Sequence, residues 1–82
     1  MNEVTILLFA TLRDYVGAKT IRLELPVKAT VADLKNFLIK TYPRLFPVRN
    51  SMMAAINREY AADEQPIPLN AEIALFPPVS GG

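Results

Sequence analysis

One stretch of this chain carries a helical hydrophobic stripe of useful length, and it lies among runs whose apolar residues recur at every second position. Thr30-Val31-Ala32-Asp33 reads as a helix start, with Thr30 as N-cap and Asp33 three residues on, a variant of the capping box. The stripe beyond it sets Val31, Leu34, Phe37 and Leu38 at three- and four-residue spacing for burial and turns Lys35, Asn36 and Lys40 to water. Pro43 stops the helix near Tyr42. A helix of about eleven residues spans roughly 16 Å. It can lie across one face of a four- or five-stranded sheet, and the chain has no second helix of that length for the other face.

The flanking runs supply the strands. Residues 3–10 are β-branched and apolar in both alternating sets, Val4/Ile6/Leu8 and Thr5/Leu7/Phe9, the pattern of a central strand. Thr11 to Val16 suits a turn or two of helix stopped by Gly17. In Thr20-Ile21-Arg22-Leu23-Glu24-Leu25 the alternation is strict, so a half-exposed strand is expected to pair back on the first, ending at Pro26. Ser51 to Asn57 reads as a third strand, although its Met and Ala residues also favour helix; its shortness and the turn-like Asn57-Arg58 favour the strand. Ala61 to Pro68 reads as irregular, with a short strand or bridge expected around Tyr60 or Ile67, and Leu69 is expected to plug the core before a turn at Asn70-Ala71. The last strand, Glu72 to Phe76, sends Ile73 and Leu75 to the core and Glu72, Ala74 and Phe76 to the opposite face. This order predicts an α+β domain over 1–76 whose first and last strands lie parallel in the middle of a mixed sheet.

Composition narrows the function. The 82 residues suffice for one small domain, and 51% apolar residues can fill its core. Nine basic and eight acidic side chains are interspersed, unlike the clustered cations of a nucleic-acid interface. With no Cys and no His, the commonest metal ligands, thiol nucleophiles and near-neutral acid–base groups are missing, so catalysis by internal side chains and metal binding are not expected. Glu3 and the early charges Arg13 and Asp14 argue against a signal peptide or membrane span, and a cytoplasmic location is expected.

The final residues, Phe76-Pro77-Pro78-Val79-Ser80-Gly81-Gly82, look like a strand end, a stiff spacer and a bare tail over 77–82. Pro77 and Pro78 fix φ and donate no hydrogen bond, which ends the strand and holds the tail away from the sheet. From Val79 to Gly82 an extended chain reaches about 13–14 Å, enough to enter a neighbouring protein's active site. As the last residue of the sequence, Gly82 is expected to carry an ionised α-carboxylate. Phe76, with the prolines and the Leu7/Phe9 face, forms an apolar patch of the kind partners bind.

These features resemble a known family. The opening strand with Phe9-Ala10-Thr11-Leu12-Arg13-Asp14 and Gly17, the helix start Thr30-Val31-Ala32-Asp33-Leu34, the strand Ala54-Ala55-Ile56-Asn57 and the ending Glu72 to Gly82 are similar to MoaD, the small sulfur-carrier subunits of molybdopterin synthase. Ile56, where the family more often has Val, and the proline-containing loop from Asp63 to Pro68 depart from its pattern. The resemblance implies a ubiquitin-like β-grasp fold and a carrier whose active site lies on the large synthase subunit (MoaE-like). It implies that an E1-like adenylating enzyme (MoeB-like) uses Mg-ATP to activate the Gly82 carboxylate, and that a persulfide donor converts it to a thiocarboxylate. The sulfur then passes to a cyclic pyranopterin phosphate in molybdenum cofactor synthesis. Phe76, Pro77, Pro78 and Val79 would dock on both partners, with Ser80 in the tail and Gly81 and Gly82 threading the active sites. A sulfur carrier for thiazole synthesis and a ubiquitin-like protein modifier share the fold and the Gly-Gly ending.

Overall fold

A computed structural model describes residues 1–78. The elements run in the order β1 (Asn2–Leu8), α1 (Thr11–Val16), β2 (Thr20–Leu25), α2 (Val31–Thr41), a 3-10 helix (Pro43–Val48), β3 (Met53–Ile56), β4 (Glu59–Ala61) and β5 (Glu72–Phe76). They build one five-stranded sheet in the order β2-β1-β5-β3-β4. β1 and β5 are parallel and central, with Ile6 opposite Ile73 and Leu8 opposite Leu75. The other neighbours are antiparallel. This is the expected β-grasp, a mixed sheet curled around one long helix.

Alternation decides which residues reach the helix. Val4, Ile6 and Leu8 of β1, Ile73 and Leu75 of β5, and Ala54 and Ile56 of β3 are buried with Val31, Leu34 and Leu38 of α2. Within the expected strand from Ser51 to Asn57, only Met53–Ile56 is strand, pairing with β5 on one side and, through a two-residue turn, with β4 on the other. Asn57 and Arg58 both take left-handed backbone angles, φ 48° and 76°, the geometry whose twist matches paired strands. Asn57 also accepts a hydrogen bond from the Glu72 N–H at 3.0 Å, fixing the turn to β5.

The loop from Asp63 to Gln65 is structural. An α-helix leaves its first N–H groups without internal partners. Here Val31 and Ala32 donate to the carbonyls of Gln65 and Asp63 at 3.0 and 2.8 Å. Asp33 donates to Thr30 Oγ1 at 3.3 Å, and the Asp33 carboxylate accepts from the Thr30 N–H at 3.0 Å, completing the expected capping box.

Three expectations are corrected. Lys35 is only 4% exposed and Phe37 is 40% exposed. With 3.6 residues per turn, Lys35 falls between Val31 and Leu38 on the buried stripe, and Phe37 lies outside it. Lys35 is tolerated there because its ammonium donates to the Met52 carbonyl at 2.7 Å and to Asp63 Oδ1 at 2.8 Å. Arg49 donates to the other Asp63 oxygen at 3.2 Å. Leu69, the expected plug, is exposed, and Ile67 and Ala71 fill that end of the core. The cause is Asn2, a buried side chain whose Nδ2 donates to the Pro68 carbonyl at 2.9 Å and whose Oδ1 accepts from the Asn70 N–H at 2.8 Å. Those bonds set the turn with Asn70 at φ 57°, which turns Leu69 outward. Finally, β1 stops at Leu8 rather than residue 10, since Ala10 adopts φ 52° at the entry to α1.

Asn2→Ala leaves the Asn70 donor and Pro68 acceptor without their partner and should cost about 1–3 kcal/mol in urea unfolding, the penalty for orphaned buried polar groups. The hydrogen bond from Lys35, followed by the charges of Lys35 and Arg49, holds the Asp63 carboxyl below the usual carboxylate range. Its stabilising contribution is therefore present above its unfolded-state pKa and lost as pH falls through the lower folded-state value. The difference in melting temperature between wild type and Asp63→Asn should narrow as pH drops below about 4; a constant difference down to strong acid would remove Asp63 from the acid response.

Candidate functional site

Because α2 covers one face, the side chains of the central strands that point the other way have no second layer over them. Leu7, Phe9, Ala55, Tyr60, Ala74 and Phe76 line a shallow depression of about 440 Å3 on that face, with Arg58 and Glu72 also at its wall. The register explains their convergence. Leu7 is opposite Ala74, Ala74 opposite Ala55, and Ala55 opposite Tyr60, so one row of small side chains crosses four strands with Leu7 and Tyr60 at its ends.

Phe76 sits on this face, as alternation predicts, but it is half-buried rather than fully exposed. Its ring stacks on Phe9 with centroids 4.8 Å apart and planes 14° apart, and Tyr60 approaches it at 6.3 Å, tilted by 55°. Phe9 is held there by its own N–H, which donates to the Leu75 carbonyl at 3.2 Å. Tyr60 is 74% exposed. Pro77 is half-buried and Pro78 exposed, immediately after this aromatic group. The remaining expected site residues, Val79, Ser80, Gly81 and Gly82, lie outside the described residues.

The structure thus brings Phe76 onto the Leu7/Phe9 face, while Pro77 and Pro78 follow it in the chain and do not line the depression. Sequence reasoning missed Tyr60 and Ala55 as members. Their signal lay in the two-residue turn Asn57-Arg58, which sets Tyr60 opposite Ala55 once both strands are granted. Chemically, the face offers apolar area and aromatic edges with one cation and one carboxylate at its wall. Among the described residues, no group of three or more carboxylates is arranged to hold a metal ion. None of the helices there is long and apolar enough to cross a membrane.

The pattern of the ThiS family matches residues 6–82. The chain belongs to that family. The molybdopterin synthase sulfur carrier subunit of Dictyostelium discoideum is 37% identical over 84 residues, covering 99% of this chain and 98% of that protein. The molybdopterin synthase sulfur carrier subunit of Arabidopsis thaliana is 34% identical over 80 residues, covering 98% and 83%. The crystal structure of SAMP1 from Haloferax volcanii superposes with a TM-score of 0.84 at 32% identity, covering 99% of this chain and all of that one. The ubiquitin-like β-grasp and the family agree from β1 to β5.

Burial separates the contributions of the two rings beside Phe9 and the tail. Phe76→Ala should lower unfolding free energy by about 1 kcal/mol, the scale of an aromatic pair. Tyr60→Ala, at an exposed position, should stay within about 0.5 kcal/mol of wild type. Equal losses in urea melts would show that Tyr60 is part of the folding core.

Proposed function

We propose that this chain is a sulfur carrier for molybdopterin synthase. The observation that carries the reading is whole-length similarity to sulfur carrier subunits of that enzyme, in a chain ending Phe-Pro-Pro-Val-Ser-Gly-Gly. The central strand β5 runs into that ending beside the open aromatic face. In this reading the face docks on the large synthase subunit and, at another time, on an E1-like activating enzyme. Phe76, Pro77 and Pro78 lie at the exit of the tail and orient it.

The chemistry belongs to the Gly82 carboxylate. A carboxylate oxygen is a poor leaving group, so the activating enzyme joins it to AMP from Mg-ATP, releasing pyrophosphate. The terminal sulfur of a persulfide attacks the acyl carbon and expels AMP, and cleavage of the S–S bond by a thiol leaves a thiocarboxylate. The thiocarboxylate then gives its sulfur to a cyclic pyranopterin phosphate in the large subunit. Bare glycines at 81 and 82 suit a narrow entry, and the partners' pockets supply proximity. This chain's part is docking, reach and an unhindered acyl carbon; ATP and magnesium are held by the activating enzyme.

A second reading, a ubiquitin-like protein modifier, is favoured by the 36% identity to small archaeal modifier protein 1 of Haloferax volcanii over 92% of this chain. There the activated Gly82 would form an isopeptide with a target lysine.

Co-expression with an activating enzyme and sulfur donor should raise the intact mass by the difference between sulfur and oxygen, and omission of the donor should abolish the increase. Deleting Gly82 moves the reactive carbon back by about 3.3–3.6 Å, well beyond the ~1 Å misplacement that can cost 10²-fold in rate. The shortened chain should fold normally and fail to support dithiolene formation. Near wild-type synthesis by that chain would refute the carrier mechanism, and lysine-linked adducts without any thiocarboxylate would favour the modifier.

A further inference from the structure

The sheet has two free edges of unequal quality. β4 is three residues long, whereas β2 offers six residues, Thr20–Leu25. The Leu8 N–H donates to the Lys19 carbonyl at 2.8 Å, which fixes the phase of the β1–β2 ladder. In that phase Ile21, Leu23 and Leu25 bond to β1, and the backbone groups of Thr20, Arg22 and Glu24 point away from the sheet. Ile21 and Leu23 remain half-exposed on the helix side.

The charges on this edge are unbalanced within one chain. Glu24 lies directly opposite Glu3 on β1, a like-charge cross-strand pair. Arg22 donates to Glu3 at 2.7 Å. Among the described residues Glu24 has no ion pair.

We infer that β2 is a self-association edge, on which a second copy of this chain adds antiparallel about a two-fold axis at Leu23. The outward phase of Thr20, Arg22 and Glu24 restricts which registers form hydrogen bonds. Centring the pair on Arg22 sets Arg22 against the partner's Arg22, and centring it on Glu24 sets two glutamates face to face. Centring it on Leu23 sets each Arg22 opposite the partner's Glu24, twice by symmetry, and supplies the missing cation. The same register places Leu23 against the partner's Leu23 and Ile21 against the partner's Leu25, covering the half-exposed side chains. The product is a continuous ten-stranded sheet with both α2 helices on one side. β1 separates β2 from β5, so the edge stays free of the aromatic face and tail exit, and the inference does not rest on the proposed function. An edge contact of this size falls among weak, transient interfaces.

The test is sedimentation equilibrium of the full chain over a concentration series, with backbone amide shifts recorded in parallel. Wild type should move from monomer toward dimer, with concentration-dependent shifts concentrated at Thr20, Arg22 and Glu24. R22E and E24R should each weaken association at least about tenfold by placing like charges opposite one another. An equimolar mixture of the two variants should associate better than either alone, because the doubly acidic edge of R22E meets the doubly basic edge of E24R. The double variant R22E/E24R should recover association. Both positions are exposed, so melting temperatures should change little. A wild type monomeric at about 1 mM, single variants that associate like wild type, a mixture no better than its parents, or shifts confined to Phe9, Tyr60 and Phe76 would each overturn the inference.

Discussion

The parallel pairing of β1 with β5 is the contact on which the architecture turns. Parallel neighbours cannot be joined by a tight turn, so the chain between them must travel around the sheet, and α2 supplies the crossing. This placement makes the last strand central, with β1 on one side and β3 on the other. The C-terminal segment therefore departs from the best-supported line of the fold, between two fully paired neighbours. In the proposed carrier role, an end presented to other proteins would gain a rigid base from this, since central strands open least readily.

The same contact explains the division of the two faces. A single helix shields one side, and the side chains that alternate away from it have only one another. Small residues, Ala55 and Ala74, lie in the middle of that bare side, and Phe9, Tyr60 and Phe76 cluster where β5 ends. Ring stacking removes part of the apolar area from water without a second layer of structure, and the remainder is available to a partner.

Much of this was legible in the residues because local signals agreed with the global fold. The capping box at Thr30 and Asp33 and the alternation of Thr20 to Leu25 each state their structure within a few positions. Two of the misreadings, Lys35 and Leu69, have a common origin in long-range polar bonds. Lys35 looks like a surface residue until Asp63 and the Met52 carbonyl, far along the chain, are brought to its ammonium. Leu69 looks like core until Asn2, from the other end of the sequence, sets its turn. Tyr60 joined the site only through hairpin register. Hydrophobic spacing identifies faces, but it does not say which buried polar group finds a partner.

The Lys35 clamp also has a use in time-resolved chemistry. The chain has four lysines, and Lys19, Lys28 and Lys40 are exposed while Lys35 has its amine bonded beneath the loop that caps α2. An amine-reactive reagent meets three open lysines and one that is reachable only when the loop from Asp63 to Gln65 lifts from the helix. The slow labelling of that single side chain is a native clock for the opening of the capping loop, with the three surface lysines as the reference rate in the same molecule.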